Sequence, residues 1–155
     1  MRIALFEPDI PQNTGTILRL AACLDLAVDL IEPAGFALED ARMRRAGMDY
    51  LDHVELTRHA SWAAFQMRPR SRLLLFTTAA EQGYADFAYR ADDTLLFGRE
   101  SGGVPAAVRE AADARLRIPI RPDLRSLNVA VAVAMAVGEA LRQTGGFAAL
   151  PLASR

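Results

Sequence analysis

The chain has 155 residues, 52% of them hydrophobic, and a formal net charge of −1. This length favours one domain, residues 1–155, which can bury a core without disulfides or a structural metal. Cys23 is the single cysteine, which excludes a disulfide framework and a multi-cysteine zinc site. It falls on an apolar helical stripe and is expected to be a buried, unreactive thiol. No segment resembles a signal peptide or a bilayer-spanning helix, which predicts a cytoplasmic protein without a membrane partner.

The charge is unevenly distributed, and lysine is absent, so that all 18 basic residues are arginine. Residues 41–72 hold seven arginines against three acidic residues, a local excess of four positive charges. Genomic base composition is one explanation for the use of arginine alone. Phosphate recognition is the other, because a guanidinium can donate two parallel hydrogen bonds to phosphate oxygens. The seven arginines are Arg42, Arg44, Arg45, Arg58, Arg68, Arg70 and Arg72.

Hydrophobic periodicity predicts alternating strands and helices from the first residues onward. A short apolar strand, Arg2–Phe6, is followed by a helix that Asn13 caps and that runs to about Leu24. A second strand is predicted at Ala27–Ile31, and a basic helix at Glu39–Ala46.

The second half of the chain continues the alternation and ends in a long helix. Ser61 is predicted to cap a short helix, and Ser126 to cap the last helix, which runs to about Gln143. Residues 129–138 of that helix carry no charge, which predicts burial on nearly all sides. The other predicted elements are the strands Arg72–Thr77, Thr94–Phe97 and Leu116–Ile120 and the helix Pro105–Ala112.

This alternation predicts an α/β fold with a parallel sheet covered by helices on both faces. In such sheets ligands bind beyond the carboxyl ends of the strands. Three loops are predicted at those ends, at residues 77–78, 98–103 and 118–126.

The first candidate motif is Asn13-x-Gly15-x-x-x-Arg19, on the first turns of a predicted helix. Arg19 is a charge within an apolar pattern. A capping asparagine followed by an arginine that extends to solvent would explain the pair without any function, so the motif alone is weak.

The second motif is the glycine loop, which follows an apolar strand and contains Gly98, Gly102 and Gly103. Glycine allows a backbone to approach a ligand closely, and such loops often bind phosphate. Glu100 would repel a phosphate, however. The loop is therefore expected to hold another kind of ligand, unless it is a tight turn with none.

The third motif, Ile118–Asn128, contains two prolines that stiffen a loop before the last helix. A core helix with a serine cap explains the helix body. The polar sequence Ser126-Leu127-Asn128 at its buried mouth is less easily explained by structure alone and indicates a site.

Together and in this order, the three motifs are similar to those of the SPOUT superfamily of RNA 2′-O-methyltransferases. The likeness covers nearly the whole chain. The flanking segments Glu7–Gly15 and Arg44–Tyr50 make it most similar to the family that methylates nucleotide 34 of tRNA. The resemblance implies an α/β fold with a mostly parallel sheet, helices on both faces and a C-terminal deep trefoil knot, which periodicity could not reveal.

The resemblance further implies S-adenosylmethionine as the methyl donor, S-adenosylhomocysteine as the product, and no metal. This donor has no phosphate for Glu100 to repel. The glycines would let backbone groups of the loop reach the adenine and the ribose of the donor. The positions that match the family's cofactor-binding motifs are Phe76, Thr77, Gly98, Glu100, Gly103, Ile118, Ser126 and Leu127.

The implied reaction methylates the ribose 2′-hydroxyl of the wobble nucleotide 34, a cytidine or modified uridine, in leucine tRNAs. The motifs put Arg19 at that hydroxyl, with Asn13, Glu100, Ser126 and Asn128 around it. In one interpretation of the family motif, this arginine is the general base. Arginine normally stays protonated, so the alternative is that Arg19 holds the phosphate next to the ribose while another group or water takes the proton.

The resemblance also implies two partners. One is a second copy of the chain, in a homodimer formed by the first and last helices with a shared catalytic site. The other is the tRNA anticodon stem-loop, gripped by Arg42, Arg44 and Arg45. Two alternatives remain open: methylation of another tRNA or ribosomal RNA position, and a non-catalytic RNA-binding module of the same fold.

Overall fold

Seven parallel strands form one sheet in the computed structural model, which describes residues 1–37 and 48–150. The strands are β1 (Arg2–Phe6), β2 (Ala27–Ile31), β3 (Leu56–His59), β4 (Leu73–Phe76), β5 (Gln82–Gly83), β6 (Thr94–Phe97) and β7 (Ala114–Arg117). Their order across the sheet is β3-β2-β1-β6-β4-β7-β5, and all the strand pairings are parallel. The predicted α/β fold with a parallel sheet is confirmed.

Four α-helices and two 3₁₀ helices accompany the sheet within the described ranges. They are α1 (Pro11–Cys23), α2 (Trp62–Gln66), α3 (Ala106–Glu110), α4 (Val129–Thr144) and the 3₁₀ helices Met48–His53 and Gly146–Ala149. The predicted basic helix Glu39–Ala46 lies outside the described residues.

Three strands differ from the prediction. β3 was not predicted, because Thr57 and Arg58 interrupt its apolar pattern, and β5 is only two residues long. β7 begins and ends earlier than the predicted strand Leu116–Ile120. The prolines at 119 and 122 lack the N–H that a strand needs, so the chain leaves the sheet before them.

The core has one layer on each face of the sheet, because neighbouring strand residues point to opposite faces. On one face, Ile3, Leu5 and Leu95 pack in a cluster with buried residues of α1 and α4. On the other face, Ala4 and Leu96 pack in a cluster with buried residues of α2 and α3. The predicted coverage by helices on both faces is therefore confirmed.

Two of the three predicted helix caps are wrong. Ile10 is the N-cap of α1, since Pro11 needs no N–H partner and begins the helix; Asn13 lies inside its first turn. Asn128, not Ser126, caps α4, with its Oδ1 accepting from the amides of Ala130 and Val131 at 2.9 and 3.3 Å. Ser61 does cap α2 as predicted.

Three predictions of burial are also wrong. The sequence Ser126-Leu127-Asn128, which was predicted at a buried mouth of the last helix, is exposed. Cys23 is exposed at the end of α1. On α4, one stripe is buried against α1 and the sheet, but Val131 and Met135 on another side are 49% and 39% exposed. Burial within this chain therefore explains the lack of charge at residues 129–138 only on the stripe that is buried. No helix in the described part of the chain is both long and apolar enough to cross a membrane.

Candidate active site

A pocket of about 450 Å³ lies where the chain leaves the carboxyl ends of β4 and β6. The glycine loop, the segment before α4 and the first turn of α1 form its walls. Its size falls within the usual range of small-molecule sites. The lining residues are Ile10, Asn13, Phe76, Thr77, Thr78, Phe97, Gly98, Arg99, Glu100, Gly103, Ile118, Ile120, Ser126, Leu127, Asn128, Val129 and Ala132.

A directed chain of hydrogen bonds links three polar residues on the pocket wall. Asn128 uses its Oδ1 to cap α4, so its Nδ2 faces Asn13 and donates to Asn13 Oδ1 at 2.9 Å. Asn13 in turn donates from Nδ2 to Glu100 Oε1 at 2.8 Å. The helix cap thus fixes which way both amides point, and the chain ends on a carboxylate that accepts.

Asp9 joins the segment after β1 to the glycine loop. Its Oδ1 accepts from the Glu100 amide and its Oδ2 from the Ser101 amide, both at 3.2 Å. In return, the Asp9 amide donates to Glu100 Oε2 at 3.3 Å. Arg99 and Glu7 add an ion pair between the same two segments, 3.2 Å from Nη1 to Oε2.

The two ends of the glycine loop contact each other and leave no room for a side chain at Gly98. Gly103 has a positive φ of 64° and donates its amide to the Arg99 carbonyl at 2.8 Å. A Cβ at Gly98 would lie 2.6 Å from the Gly103 carbonyl carbon. Glycine at 98 thus allows the two ends of the loop to touch, and both glycines line the pocket.

The two carboxyl groups at this junction have pKa values shifted in opposite directions. Burial and then Asp9 raise the pKa of Glu100, and the hydrogen bond from Asn13 offsets this only in part. Burial also acts to raise the pKa of Asp9, but hydrogen bonds from Glu100 and Ser101 outweigh it and lower that pKa. Asp9 is therefore the more acidic partner of the pair.

The remaining lining is largely apolar. Phe76 and Phe97 stack with ring centroids 4.8 Å apart and planes 15° apart. Ile118 and Leu127 line the same pocket. A flat ring with polar edges suits such a site, because apolar side chains can cover its faces while the backbone groups of the glycine loop meet its edges.

The structure brings together most of the residues that the sequence selected. Asn13, Glu100, Ser126 and Asn128 all line the pocket, as do all the residues predicted for cofactor binding. Arg19 does not line it; its guanidinium lies over the Tyr50 ring, 4.9 Å from the centroid. Arg42, Arg44 and Arg45 lie outside the described residues. Within residues 1–37 and 48–150, no group of three or more acidic, His or Cys side chains could hold a metal.

Sequence reasoning missed Asp9 and the apolar residues Ile10 and Ile120. Asp9 lies three residues beyond the end of β1 and two before Pro11, so its position near the carboxyl edge of the sheet was a usable signal. Its partners are backbone amides 91 and 92 residues away, which leave no mark in the sequence.

A parallel α/β sheet with a glycine-lined pocket at its carboxyl edge defines a class of ligand-binding α/β proteins. Within that class, the chain belongs to the SpoU methylase family: the model described as the SpoU rRNA Methylase family matches residues 1–138. It is therefore a methyltransferase, and the resemblance read from the motifs is confirmed.

Two relatives and two solved structures illustrate the similarity. The chain is 60% identical over 149 residues to a protein of Beijerinckia indica, covering 94% of this chain and 93% of the relative. It is 43% identical over 148 residues to a protein of Escherichia coli, covering 94% of each. Both are named tRNA (cytidine(34)-2′-O)-methyltransferase.

Among solved structures, one concerns the 2-OH methylation of C/U34 on tRNA. It is similar with a TM-score of 0.86 and 43% identity, covering 92% of this chain and 89% of that one. A second, an AdoMet-bound rRNA methyltransferase from Sinorhizobium meliloti, has a TM-score of 0.83 and 27% identity, covering 91% of this chain and 55% of that one.

Proposed function

We propose that the chain transfers a methyl group from S-adenosylmethionine to the ribose 2′-hydroxyl of nucleotide 34 in tRNA. The observation that carries this is the meeting of Asn13, Glu100 and Asn128 on one pocket wall. The names of the Beijerinckia and Escherichia relatives support cytidine 34 as the position. The motif resemblance is the basis for proposing cytidine or modified uridine in leucine tRNAs as the substrate. One domain over residues 1–155 is proposed to carry the activity.

The residues of the pocket fit the proposed methyl donor. The Phe76–Phe97 pair, Ile118 and Leu127 offer apolar cover for an adenine ring. The backbone of Gly98 and the carbonyl of Gly103 offer polar groups for its edges and for the ribose, since the Gly103 amide already donates to Arg99. S-adenosylmethionine supplies an electrophilic methyl group on a positively charged sulfonium. Holding the reacting groups in line is the chain's main contribution, and alignment of this kind lowers barriers by several kcal/mol.

Glu100 is proposed to act as the oriented carboxylate at the reacting end of the pocket. It is fixed by Asn13 and by Asp9, and a negative group there favours the positive donor as well as a nearby hydroxyl proton. Ser126, which also lines the pocket, can donate or accept a further hydrogen bond.

Arg19 is proposed to serve the pocket of a second copy of the chain. It lies away from its own pocket, and α4, which packs against α1, leaves Val131 and Met135 exposed. An exposed apolar face of this kind is suited to association. A protonated guanidinium would hold the phosphate next to the target ribose, and another group or water would take the hydroxyl proton.

The anticodon stem-loop is proposed to bind through Arg42, Arg44 and Arg45, which lie outside the described residues. Contacts of arginine with phosphate give affinity and salt dependence without sequence choice. Selection of nucleotide 34 would then depend on an unstacked loop base.

The test is methyl transfer from isotopically labelled S-adenosylmethionine to total tRNA and, separately, to ribosomal RNA, followed by mapping of the modified nucleotide. Label at the 2′-oxygen of nucleotide 34 in leucine tRNAs is expected. Label in ribosomal RNA or at another tRNA position would replace the proposed substrate. Binding of tRNA without any transfer would favour the RNA-binding module instead.

A double variant, Arg44→Ala with Arg45→Ala, should weaken tRNA binding and reduce its salt dependence while donor affinity is kept.

A further inference from the structure

Asp9 ties the segment after β1 to the glycine loop; it falls in the flanking segment Glu7–Gly15 but in none of the three candidate motifs. Its two carboxylate oxygens accept from the consecutive amides of Glu100 and Ser101, each at 3.2 Å. Its own amide donates to Glu100 Oε2 at 3.3 Å. Three hydrogen bonds thus connect Asp9 to the glycine loop: one to the Glu100 backbone, one to the Glu100 side chain and one to the Ser101 backbone.

Asp9 is itself held from behind. The Gly35 amide donates to the Pro8 carbonyl at 2.9 Å. A Cβ at Gly35 would lie 3.0 Å from both the Cα and the Cβ of Asp9. The segment after β2 therefore packs directly on Asp9, and the absence of a side chain at 35 sets how close it can come.

Two residues hold the side chain of Glu100 in place, and one of them is Asp9. Asn13 fixes Oε1 from α1, and Asp9 fixes Oε2 and the peptide groups on either side of Glu100. Without Asp9, the Asn13 amide would be the only side-chain or backbone donor among the described residues that holds the carboxylate at the pocket wall. A carboxylate with one remaining contact can adopt other rotamers and lose the geometry that transfer needs.

We infer that Asp9 is a positioning residue for the methyl transfer: it holds the Glu100–Ser101 backbone and orients the Glu100 carboxylate toward Asn13 and the pocket. This inference rests on the proposed function. Asp9 acts through Glu100 and is not among the residues that line the pocket.

The charges around Glu100 make the inference measurable as a pH dependence. In the described part of the chain, the segment after β1 contributes Asp9 and the Glu7–Arg99 pair lies beside it. Helices α1 and α4 contribute only the neutral Asn13 and Asn128. Burial and then Asp9 raise the pKa of Glu100. Removing the charge of Asp9 should therefore lower that pKa and move the acid limb of the rate profile to lower pH.

The experiment compares Asp9→Asn, Gly35→Ala and the control Asp25→Asn with the unaltered chain. Asp25 is exposed and has a positive φ of 52°, which asparagine also tolerates. Single-turnover methyl transfer to tRNA is measured from pH 5 to 9, and donor and tRNA affinities are measured by calorimetry. Circular dichroism checks that each variant is folded.

For Asp9→Asn, the single-turnover rate should fall by up to about 100-fold, with both affinities within about threefold, and the acid limb should move to lower pH. Gly35→Ala displaces Asp9 without removing its charge, so the rate should fall and the acid limb should move less than in Asp9→Asn. It also provides the test if Asp9→Asn does not fold. Asp25→Asn should match the unaltered chain.

Unchanged rates for both Asp9→Asn and Gly35→Ala would overturn the inference while leaving the proposed function intact. An unmoved acid limb in a slowed, folded Asp9→Asn variant would also overturn it, since a purely structural loss does not depend on the charge. If the unaltered chain transfers no methyl group to tRNA, the proposed function and the inference both fall.

Discussion

Asn13 and Asn128 are joined by one hydrogen bond, 2.9 Å from Asn128 Nδ2 to Asn13 Oδ1, although 115 residues separate them in the chain. Because Asn128 also caps α4 with its oxygen, its amide has a single possible orientation. The same bond leaves Asn13 free to donate to Glu100. A helix cap and a candidate active site therefore depend on the same side chain.

Two substitutions at Asn128 should separate those two roles. Asn128→Asp keeps a good helix cap, so the midpoint of thermal unfolding should stay close to that of the unaltered chain. It removes the Nδ2 donor, and Asn13 can no longer satisfy both the new carboxylate and Glu100. Loss of a hydrogen bond to a charged group predicts a fall of roughly 10- to 100-fold in the single-turnover rate.

Asn128→Ala is the matched variant, since it removes both the cap and the donor. It should lose about 1 kcal/mol of unfolding free energy in addition to the rate. Equal stability losses in the two variants, measured by urea unfolding, would contradict the assignment of the cap.

Arg19→Lys tests whether the guanidinium, rather than a positive charge, is needed. Lysine keeps the charge and can still lie over Tyr50, but it cannot donate two parallel hydrogen bonds to a phosphate. Most of the methyl transfer should be lost, while donor affinity stays unchanged because Arg19 does not line the pocket. The exposed Arg90→Lys serves as the control. Turnover close to that of the unaltered chain would exclude a specific role for the guanidinium.

Gly98→Ala should damage the donor pocket without changing any charge. The added Cβ would meet the Gly103 backbone at 2.6 Å, and backbone atoms cannot move aside cheaply. Strain of about 1–3 kcal/mol corresponds to a donor Kd raised by roughly 5- to 150-fold, measured by calorimetry.

Gly102→Ala is the control within the same loop. There the Cβ would come no closer than 3.3 Å, to the flexible Arg99 side chain, and donor affinity should be nearly unchanged. Equal effects of the two alanines would show that loop flexibility, and not the close approach at Gly98, matters for binding.

The buried carboxylate of Asp29, in β2, should contribute strongly to the free energy of unfolding. Asp29 is 1% exposed and accepts from Arg2 at 2.7 Å and from His59 at 2.8 Å, with Arg68 also paired to it. Burial acts to raise its pKa, but these partners outweigh burial and lower it. Asp29→Asn leaves buried charges unpaired and should cost about 3 kcal/mol of unfolding free energy at pH 7.

The sign of the pH dependence follows from the lowered pKa. The stabilisation is fully present above the ordinary aspartate value of about 3.9 and is lost as the pH falls toward the folded-state pKa. The difference between the unaltered chain and Asp29→Asn should therefore shrink between pH 5 and pH 2 in urea unfolding. Asp123→Asn, in an exposed pair with Arg121, should cost less than about 1 kcal/mol at any pH. A constant difference for Asp29→Asn would contradict the argument.

The central strands could be predicted from sequence because parallel strands are buried on both faces and are continuously apolar. Leu73–Phe76 and Thr94–Phe97 are of this kind, and all eight residues are buried. The edge strands β3 and β5 could not, since they are short or partly polar and are held by hydrogen bonds to a neighbour. The N-caps of the two long helices were not predicted correctly. Pro11 starts α1 two residues before Asn13, and Asn128 caps α4 two residues after Ser126.

The residues of the candidate site were predicted where they belong to sequence motifs. They were missed where their contacts are with backbone groups. Asn13, Glu100 and Asn128 were selected from three separate segments, and the fold brings them within hydrogen-bonding distance. Asp9 was missed because its partners are peptide amides, which every residue but proline has. The location of Arg19 away from its own pocket depends on its contact with Tyr50, and no spacing in the sequence specifies that contact. The deep trefoil knot stays a prediction.

No continuous piece of this chain contains the pocket. Its walls come from the first turn of α1, the glycine loop and the segment before α4. In a growing polypeptide the pocket therefore stays incomplete until residues beyond 128 have been added and α4 has docked. A ligand of the pocket therefore binds only the finished fold and stabilises it by mass action. Donor binding is a measure of complete folding, and a truncation that removes α4 should abolish binding altogether.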